Sequence, residues 1–451
     1  MIRQLPISFV EPRVQITIAL VALVTPLNST MLAAALPTIR TQFDIGVGEL
    51  TLLVSIYLVA VAVMQPIAGQ LGDAFGTRRI MIFGLLAIIF CSILAASAWS
   101  FPALVSARAL MGVASALAMP NAIAYLRKHF SGTDRLGSIL GINGAVLSAF
   151  AAIGPVIGGV LLLAGWEYIF LVNIPISLIA VFLLFQLKPD FVSGRKALSL
   201  DMMSIFLLLL IFISLVVVGI AISNSRDIFA IVALLIFGVS IIGYWAVFKR
   251  RGLGVVNLNL FTKTNYLFAS IGQGLTNFIL YSLLFAIPLF LIDMRDINHQ
   301  VVSFLLFIIF AGSLVTTPIG GVLADRLGWR YPIVLGSIIL LVGSVALTIV
   351  LQAPIILFFI PFVLIGTGIG LTGAARSAAA LQAWPPTIAG SAAGTYSLSR
   401  YIGSIISTAI MAAVLGVSPT VTSFLIFFSI LAVAALANCF VGFPIRTQQH
   451  E

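Results

Sequence analysis

The chain has 451 residues, of which 61% are hydrophobic and only 8% are charged. Such a composition cannot supply the charged surface of a soluble protein of this length, so it excludes a soluble enzyme and indicates an integral membrane protein. Its net charge of +10 favours contact with anionic membrane lipids, and we expect no nucleic-acid partner. The apolar runs are about 20 residues long and lack the alternation of a membrane β-barrel, so α-helices are expected to span the bilayer.

Apolar runs bounded by charges or by Pro and Gly turns predict an all-α fold with fourteen transmembrane helices. The predicted spans lie near residues 14–38, 49–70, 79–98, 101–126, 136–162, 167–187, 200–222, 228–247, 265–293, 300–322, 331–350, 355–380, 391–414 and 420–441. Lys and Arg collect on the cytoplasmic side of membrane proteins. With the N-terminus in the cytoplasm, seventeen of the 23 basic residues lie inside. We therefore expect a multi-pass protein of the cell membrane with both termini cytoplasmic.

An internal repeat explains this number of spans. The segments GQLGDAFGTRR (69–79) and GVLADRLGWRY (321–331) share the pattern Gly-x-Leu-x-Asp-x-x-Gly, and each has an Arg two positions later. Both segments follow the second span of a half. The repeat predicts two parallel six-helix halves, residues 1–190 and 256–451, joined by two inserted helices within 191–255. A helical shell with a seam between two halves is typical of a transporter.

The chain resembles the major facilitator superfamily over nearly its whole length, and within it the fourteen-span drug:proton antiporter, or multidrug efflux, family. The matching segments are the loop after span 2, ARALMGVASALAMP in span 4, GPVIGGVLL in span 5 and GWEYIFLVNIPIS after it, with weaker matches at VVNLNLF and SRYIGS. This resemblance implies a secondary active transporter that exports amphipathic small molecules by alternating access, and it implies no enzymatic activity and no cofactor. The implied partners are a small amphipathic substrate or lipid, membrane lipids and, where coupling is retained, protons.

In this family the loop after span 2 forms the inner gate. The matching gate residues are Gly69, Asp73, Gly76, Arg78 and Arg79, with Asp325 and Arg330 in the second half. The glycines allow a tight turn, and Asp73 is suited to a helix N-terminus or to an Arg across the seam. A basic loop that merely follows the charge rule for membrane orientation is the alternative interpretation.

The glycine-rich part of span 5 resembles the antiporter motif of the family. The matching residues are Gly154, Pro155, Gly158 and Gly159. These residues permit a kink and a close approach of two backbones. Close helix packing alone would need the same residues, so the pattern by itself does not distinguish packing from a role in antiport.

The first span departs from the family at the residue that matters for proton coupling. Where the family has an Asp in a Leu-Asp-x-Thr pattern, this chain has Asn28 in LNSTMLAAALPTI. An amide does not titrate. None of the thirteen acidic residues is predicted in mid-membrane, so the remaining coupling candidates are the gate acids and the helix-end carboxylates Glu49, Glu167 and Asp293. The pattern shows no metal site.

Two arginines within the spans bear on the substrate. Arg108 lies about 10 Å deep in span 4, where an unpaired charge costs a few kcal/mol unless it faces a cavity, a partner or backbone carbonyls and water. Arg400 lies in span 13, and neither arginine has an acidic neighbour in sequence. The predicted cavity residues are Asn28, Tyr57, Arg108, Gln273, Asn277, Tyr281 and Arg400. Two functions stay open: export of amphipathic compounds, and transport of a lipid or organic anion without proton coupling through span 1.

Overall fold

The computed structural model describes residues 10–45, 47–130, 136–188, 201–223, 227–251, 254–297, 299–415 and 420–446. Among these residues there is no β-strand, and almost all of them are helical. The α-helices are α1 (Val10–Phe43), α2 (Val47–Phe75), α3 (Thr77–Ala96), α4 (Phe101–Ala116), α5 (Met119–His129), α6 (Leu136–Leu161), α7 (Tyr168–Leu171), α8 (Asn173–Gln186), α9 (Met202–Ser223), α10 (Asp227–Arg251), α11 (Thr264–Pro288), α12 (His299–Leu327), α13 (Arg330–Ile349), α14 (Phe359–Gln382), α15 (Ala389–Leu415) and α16 (Val421–Gly442). The predicted all-helical membrane fold is therefore confirmed.

Two of the predicted spans are interrupted. Span 4 divides into α4 and α5, where Pro120 in the first turn of α5 has no N–H to continue the helix. Span 6 divides into α7 and α8. When these pairs are joined, the described residues contain 12 helical segments that are long and apolar enough to cross a membrane. In α1 and α6 only shorter apolar stretches, Pro12–Val24 and Ser138–Leu147, are described. The number fourteen stays a prediction.

The sequence repeat corresponds to a repeat in backbone geometry. Pro66 lies inside α2, and Pro318 lies inside α12 at the matching position. Gly76 and Gly328 follow these helices and have φ angles of 95° and 82°. Side chains rarely adopt this left-handed region, so each sharp turn requires glycine. The two repeated loops therefore use the same residue types for the same backbone conformation.

The helices α2 and α15, one from each predicted half, pack on each other, as do α6 and α12. We call the surface between these two sets of helices the seam. A Cβ atom on Gly69 would lie 2.0 Å from the carbonyl oxygen of Gly390. A Cβ atom on Gly141 would lie 3.0 Å from the carbonyl oxygen of Thr317. Such backbone contacts exclude side chains and bring helices close enough for polar groups to reach across. Two of the three apolar clusters contain residues of both repeated sets and so cross this seam, and the third lies within the second set.

The helices α9 and α10 form a pair between the two repeated sets. They pack on each other, and α9 also packs on α15 and α2. The pair therefore lies beside the α2–α15 crossing. The exposed face of α10 carries large apolar side chains such as Ile228, Leu235 and Ile242, as expected for a helix that faces lipid.

Candidate functional site

Asp73, near the end of α2, caps the N-terminus of α15 in the other half. Its Oδ1 atom accepts from the Gly390 N–H at 2.9 Å, and its Oδ2 atom accepts from the Ser391 N–H at 2.7 Å and from the Ser391 hydroxyl at 2.9 Å. Lys128 Nζ lies 3.3 Å from Asp73 Oδ1. A carboxylate at a helix N-terminus accepts from free N–H groups and is attracted by the helix dipole. Asp73 therefore holds the two halves together at this end.

Asp325 makes the equivalent contact on the opposite side of the seam. Its Oδ2 atom accepts from the Ser138 N–H at 2.8 Å and from the Ser138 hydroxyl, in the first turn of α6. The sequence contains the signal for both partners, because Gly-Ser-x-x-Gly occurs at Gly137–Gly141 and again at Gly390–Gly394. These serines were not predicted from the sequence. Each half thus supplies one carboxylate and one helix N-terminus to the seam.

The predicted gate arginines differ in what they contact. Arg78 donates from Nε to the Leu184 carbonyl at 2.7 Å and from Nη2 to the Phe185 carbonyl at 2.9 Å. It therefore binds free carbonyls in the last turn of α8, where a cation is favoured. Arg79 and Arg330 are exposed. Arg78 and Arg330 occupy matching positions in the sequence repeat, but Arg78 is half-buried and Arg330 is exposed.

The predicted antiporter motif and coupling residues are only partly described. Gly154 and Gly158 are buried in α6, and Glu167 is half-buried just before α7. The side chains at Pro155, Gly159, Glu49 and Asp293 lie outside the described residues. Their roles stay predictions. Across the described residues, no group of three or more His, Cys, Asp or Glu side chains is placed to hold a metal ion.

Three of the predicted cavity residues are buried within the N-terminal half. Asn28 Oδ1 accepts from Asn173 Nδ2 at 2.9 Å. The Arg108 guanidinium lies over the Tyr57 ring, with its carbon 4.2 Å from the ring centroid. Arg108 Nε and Nη1 have no hydrogen-bond partner, and the aromatic face offsets part of the cost of burying this cation. The prediction that these residues bind substrate stays untested.

The other four predicted cavity residues lie together in a cavity of about 230 Å³ at the seam. Six helices contribute: α5 and α6 from one side and α11, α12, α14 and α15 from the other. The lining residues are Met119, Ile123, Leu140, Asn143, Gly144, Leu147, Gln273, Thr276, Asn277, Leu280, Tyr281, Leu284, Ile309, Phe310, Ser313, Thr317, Ile369, Gly373, Ala374, Ser377 and Arg400. An apolar wall with a few convergent polar groups is the usual form of a small-molecule site.

Polar groups of the cavity wall form a partly paired set. Gln273 Oε1 accepts from the Tyr396 hydroxyl at 3.1 Å, and Asn277 Nδ2 donates to the Gln273 carbonyl at 3.0 Å. Arg400 Nε and Asn143 Nδ2 are buried without a partner. Among the described residues of the lining, Arg400 is the one that is charged, and none is a carboxylate. Residues of the wall therefore carry hydrogen-bond donors that have no acceptor within the protein.

Arg376 lies behind this wall, and the sequence alone suggested no role for it. It is fully buried in α14. Its Nη1 atom donates to the Gly272 carbonyl at 3.0 Å and to Thr276 Oγ1 at 2.5 Å. Its Nη2 atom donates to Ser337 Oγ at 3.0 Å and to Asn438 Oδ1 at 2.6 Å. Neutral dipoles from three other helices thus compensate the charge. These groups are far apart in the sequence, so the sequence alone does not show that they lie together around Arg376.

The chain matches one family model and is similar to several known transport and resistance proteins. The family model described as Major Facilitator Superfamily matches residues 18–408 and 266–449. The riboflavin transporter RibZ of Clostridioides difficile is 25% identical over 402 residues, which are 88% of this chain and 86% of RibZ. The multidrug resistance protein Stp of Mycobacterium tuberculosis is 27% identical over 394 residues, which are 86% of this chain and 73% of Stp. The crystal structure of the human organic anion transporter MFSD10 (TETRAN) shares the fold, with a TM-score of 0.71 and 16% identity over 96% of this chain and 100% of that one.

Proposed function

The chain belongs to the Major Facilitator Superfamily of transporters, and from that premise we propose that it is a secondary exporter of amphipathic small molecules, similar to multidrug efflux proteins. The observation that carries this proposal is the mainly apolar cavity of about 230 Å³ at the seam between the halves. Its mixture of apolar wall and convergent polar groups suits a substrate with both characters. The similarity to Stp supports the same assignment.

We further propose that the chain has fourteen spans. Twelve are the helical segments that are long and apolar enough to cross a membrane, and the other two are α1 and α6. The halves then comprise residues 1–190 and 256–451, and residues 191–255 hold the inserted pair. Both termini would face the cytoplasm of a cell membrane, because that orientation leaves most basic loops inside. The Asp73 and Asp325 contacts would then close the cytoplasmic end.

The proposed transport cycle is alternating access, in which the two capped crossings open while the opposite end of the seam closes. The Asp73 contact joins residues more than 300 positions apart, so rocking of one half against the other would have to break it. Hydrogen bonds between a carboxylate and backbone N–H groups are discrete contacts that are either made or broken. They are therefore suited to act as a gate.

The coupling ion is the open part of this proposal. Asn28 does not titrate, and the lining includes no carboxylate. These observations favour the second candidate function, a lipid or organic-anion transporter without proton coupling through span 1. If protons are coupled, the gate acids or Glu49, Glu167 and Asp293 would have to carry them.

Transport by proteoliposomes with and without an imposed pH gradient separates the two candidates. The probes are ethidium, a cationic amphiphile, and 2-naphthoate, an anionic one. A gradient-driven flux of ethidium supports the drug exporter, whereas 2-naphthoate flux that ignores the gradient supports the anion transporter.

A pair of glycine variants tests the cavity itself in the same assay. A Cβ atom on Gly373 meets nothing within 4 Å and points into open space of the cavity, so Gly373→Leu would fill it. Gly238 in α10 has equally open surroundings but is not in the lining. We expect Gly373→Leu to abolish the flux of either probe and the control Gly238→Leu to preserve it. Equal flux in both variants would contradict the cavity assignment.

A further inference from the structure

The hydroxyl group of Thr276 in the cavity wall has both of its lone pairs occupied. Arg376 Nη1 donates to Thr276 Oγ1 at 2.5 Å, and Asn438 Nδ2 donates to it at 3.0 Å. The direction of the second bond is fixed, because a guanidinium only donates and so Asn438 must turn its oxygen to Arg376 Nη2, at 2.6 Å. The Thr276 oxygen therefore accepts twice, and its own proton has to be donated elsewhere.

Threonines in apolar helices usually give this proton to their own backbone, at the carbonyl four positions earlier. Thr317 donates to the Ser313 carbonyl at 2.6 Å, and Thr372 donates to the Gly368 carbonyl at 3.0 Å. Thr276 makes no such bond. It differs from these two threonines because Arg376 and Asn438 both donate to its hydroxyl oxygen.

Both backbone carbonyls within reach of the Thr276 proton are already occupied. The Gly272 carbonyl accepts the helical N–H of α11 and also Arg376 Nη1, at 3.0 Å. The Gln273 carbonyl accepts its helical N–H and also Asn277 Nδ2, at 3.0 Å. A carbonyl oxygen has two lone pairs, so neither has room for a third donor. Because Thr276 lines the cavity, the open direction for its proton is the cavity.

Two further unpaired donors belong to residues of the cavity lining. Arg400 Nε and Asn143 Nδ2 are buried and have no partner, while Arg400 Nη1 donates to Met119 Sδ at 3.8 Å. The cations of Arg400 in the wall and Arg376 behind it face no carboxylate in the lining. Buried donors without acceptors are costly, and a ligand that supplies acceptors and negative charge removes this cost.

We propose that Thr276 is a substrate-binding residue whose proton Arg376 and Asn438 direct into the cavity, and that with Arg400 it binds the carboxylate of a small organic anion with an apolar body. Arg376 and Asn438 are positioning residues in this arrangement. The inference rests on the proposed function, since it takes the cavity as the substrate site. It goes beyond that function by naming the substrate class and the donor that selects it.

The test is equilibrium binding of two radiolabelled probes to the full chain in nanodiscs. The probes are 2-naphthoate and 2-naphthamide, which share an apolar frame and differ in charge. We expect the wild type to bind 2-naphthoate at least about tenfold more tightly, as for a hydrogen bond to a charged group. We expect Thr276→Val to remove most of this preference and to leave 2-naphthamide binding within about threefold.

Matched variants separate binding from folding. Thr276→Ser keeps the hydroxyl and should restore the preference. Thr372→Val removes a buried hydroxyl that bonds its own helix outside the cavity lining, and it should bind both probes as the wild type does. A wild type that does not prefer 2-naphthoate, or a Thr276→Val variant that keeps the preference, would overturn the inference. Either result combined with transport blocked by Gly373→Leu would leave the proposed function intact, whereas unblocked transport in that variant would refute the proposed function itself.

Discussion

The substitution Asp73→Asn should open the closed end of the seam. It removes the charge that α15 and Lys128 share, and it leaves one oxygen for the three bonds at 2.9, 2.7 and 2.9 Å from Gly390 and Ser391. The Asp73 side chain is only 11% exposed, so water screens the interaction little. Bonds to charged groups contribute about 1.5–3 kcal/mol each, and the helix dipole up to about 2 kcal/mol.

These contributions overlap, because the same charge attracts the same N–H groups. We therefore expect a net loss of about 2 kcal/mol from the closed state, which is roughly a thirtyfold shift toward the state open at this end. Transport should fall, while helix content and expression stay near wild type, because the apolar core is untouched.

Distances between spin labels measure this shift. The labels replace Phe83 in α3 and Tyr331 in α13, two exposed positions in opposite halves, in a chain whose buried Cys91 and Cys439 are changed to Ala. Wild type should give mainly one distance, and Asp73→Asn should add a longer one. The control Asp227→Asn removes an exposed carboxylate at the start of α10 and should change nothing. An unchanged distance distribution with wild-type transport in Asp73→Asn would refute the gate.

Two further substitutions test the polar groups of the N-terminal half. Arg108→Lys keeps the charge but loses the planar group stacked 4.2 Å from the Tyr57 ring centroid, so thermal unfolding should show a loss of about 1 kcal/mol; unchanged stability would show that a point charge suffices there. Asn28→Asp keeps an acceptor for Asn173 Nδ2 and adds a titratable group, so ethidium transport should increase relative to 2-naphthoate and should differ between pH 6 and pH 8. Identical selectivity at both pH values would place position 28 off the pathway.

The sequence predicted the features that arise from local composition and repetition. The apolar runs predicted the helices, and the two Gly-x-Leu-x-Asp-x-x-Gly loops predicted equivalent turns at Gly76 and Gly328, because a positive φ angle needs glycine wherever it occurs. Asp73 was predicted to bind either a helix N-terminus or an Arg across the seam, and it binds the N-terminus of α15. The partner was not predicted, because Gly390 is 317 positions away in sequence and only the packing of α2 on α15 brings it near.

The candidate site was less predictable, because its residues also come from segments that are far apart in the sequence. Gln273, Asn277, Tyr281 and Arg400 were predicted and share one cavity. Asn28 was predicted as a cavity residue, but its hydrogen-bond partner Asn173 was not predicted, because it lies 145 positions away in sequence. The hydrogen-bond partners of Arg376 come from three other helices, so no single segment carried the signal.

Counterflow of 2-naphthoate tests the central claim most directly, because exchange through one alternating site needs no knowledge of the coupling ion. Proteoliposomes loaded with unlabelled 2-naphthoate are diluted into trace labelled compound. A carrier that uses the seam cavity should accumulate label transiently in the wild type and in Gly238→Leu, and should not do so in Gly373→Leu. Transient accumulation of equal size in Gly373→Leu would contradict transport through the cavity. No accumulation of 2-naphthoate in the wild type would contradict the organic-anion substrate class, and the same counterflow with ethidium then tests the cavity.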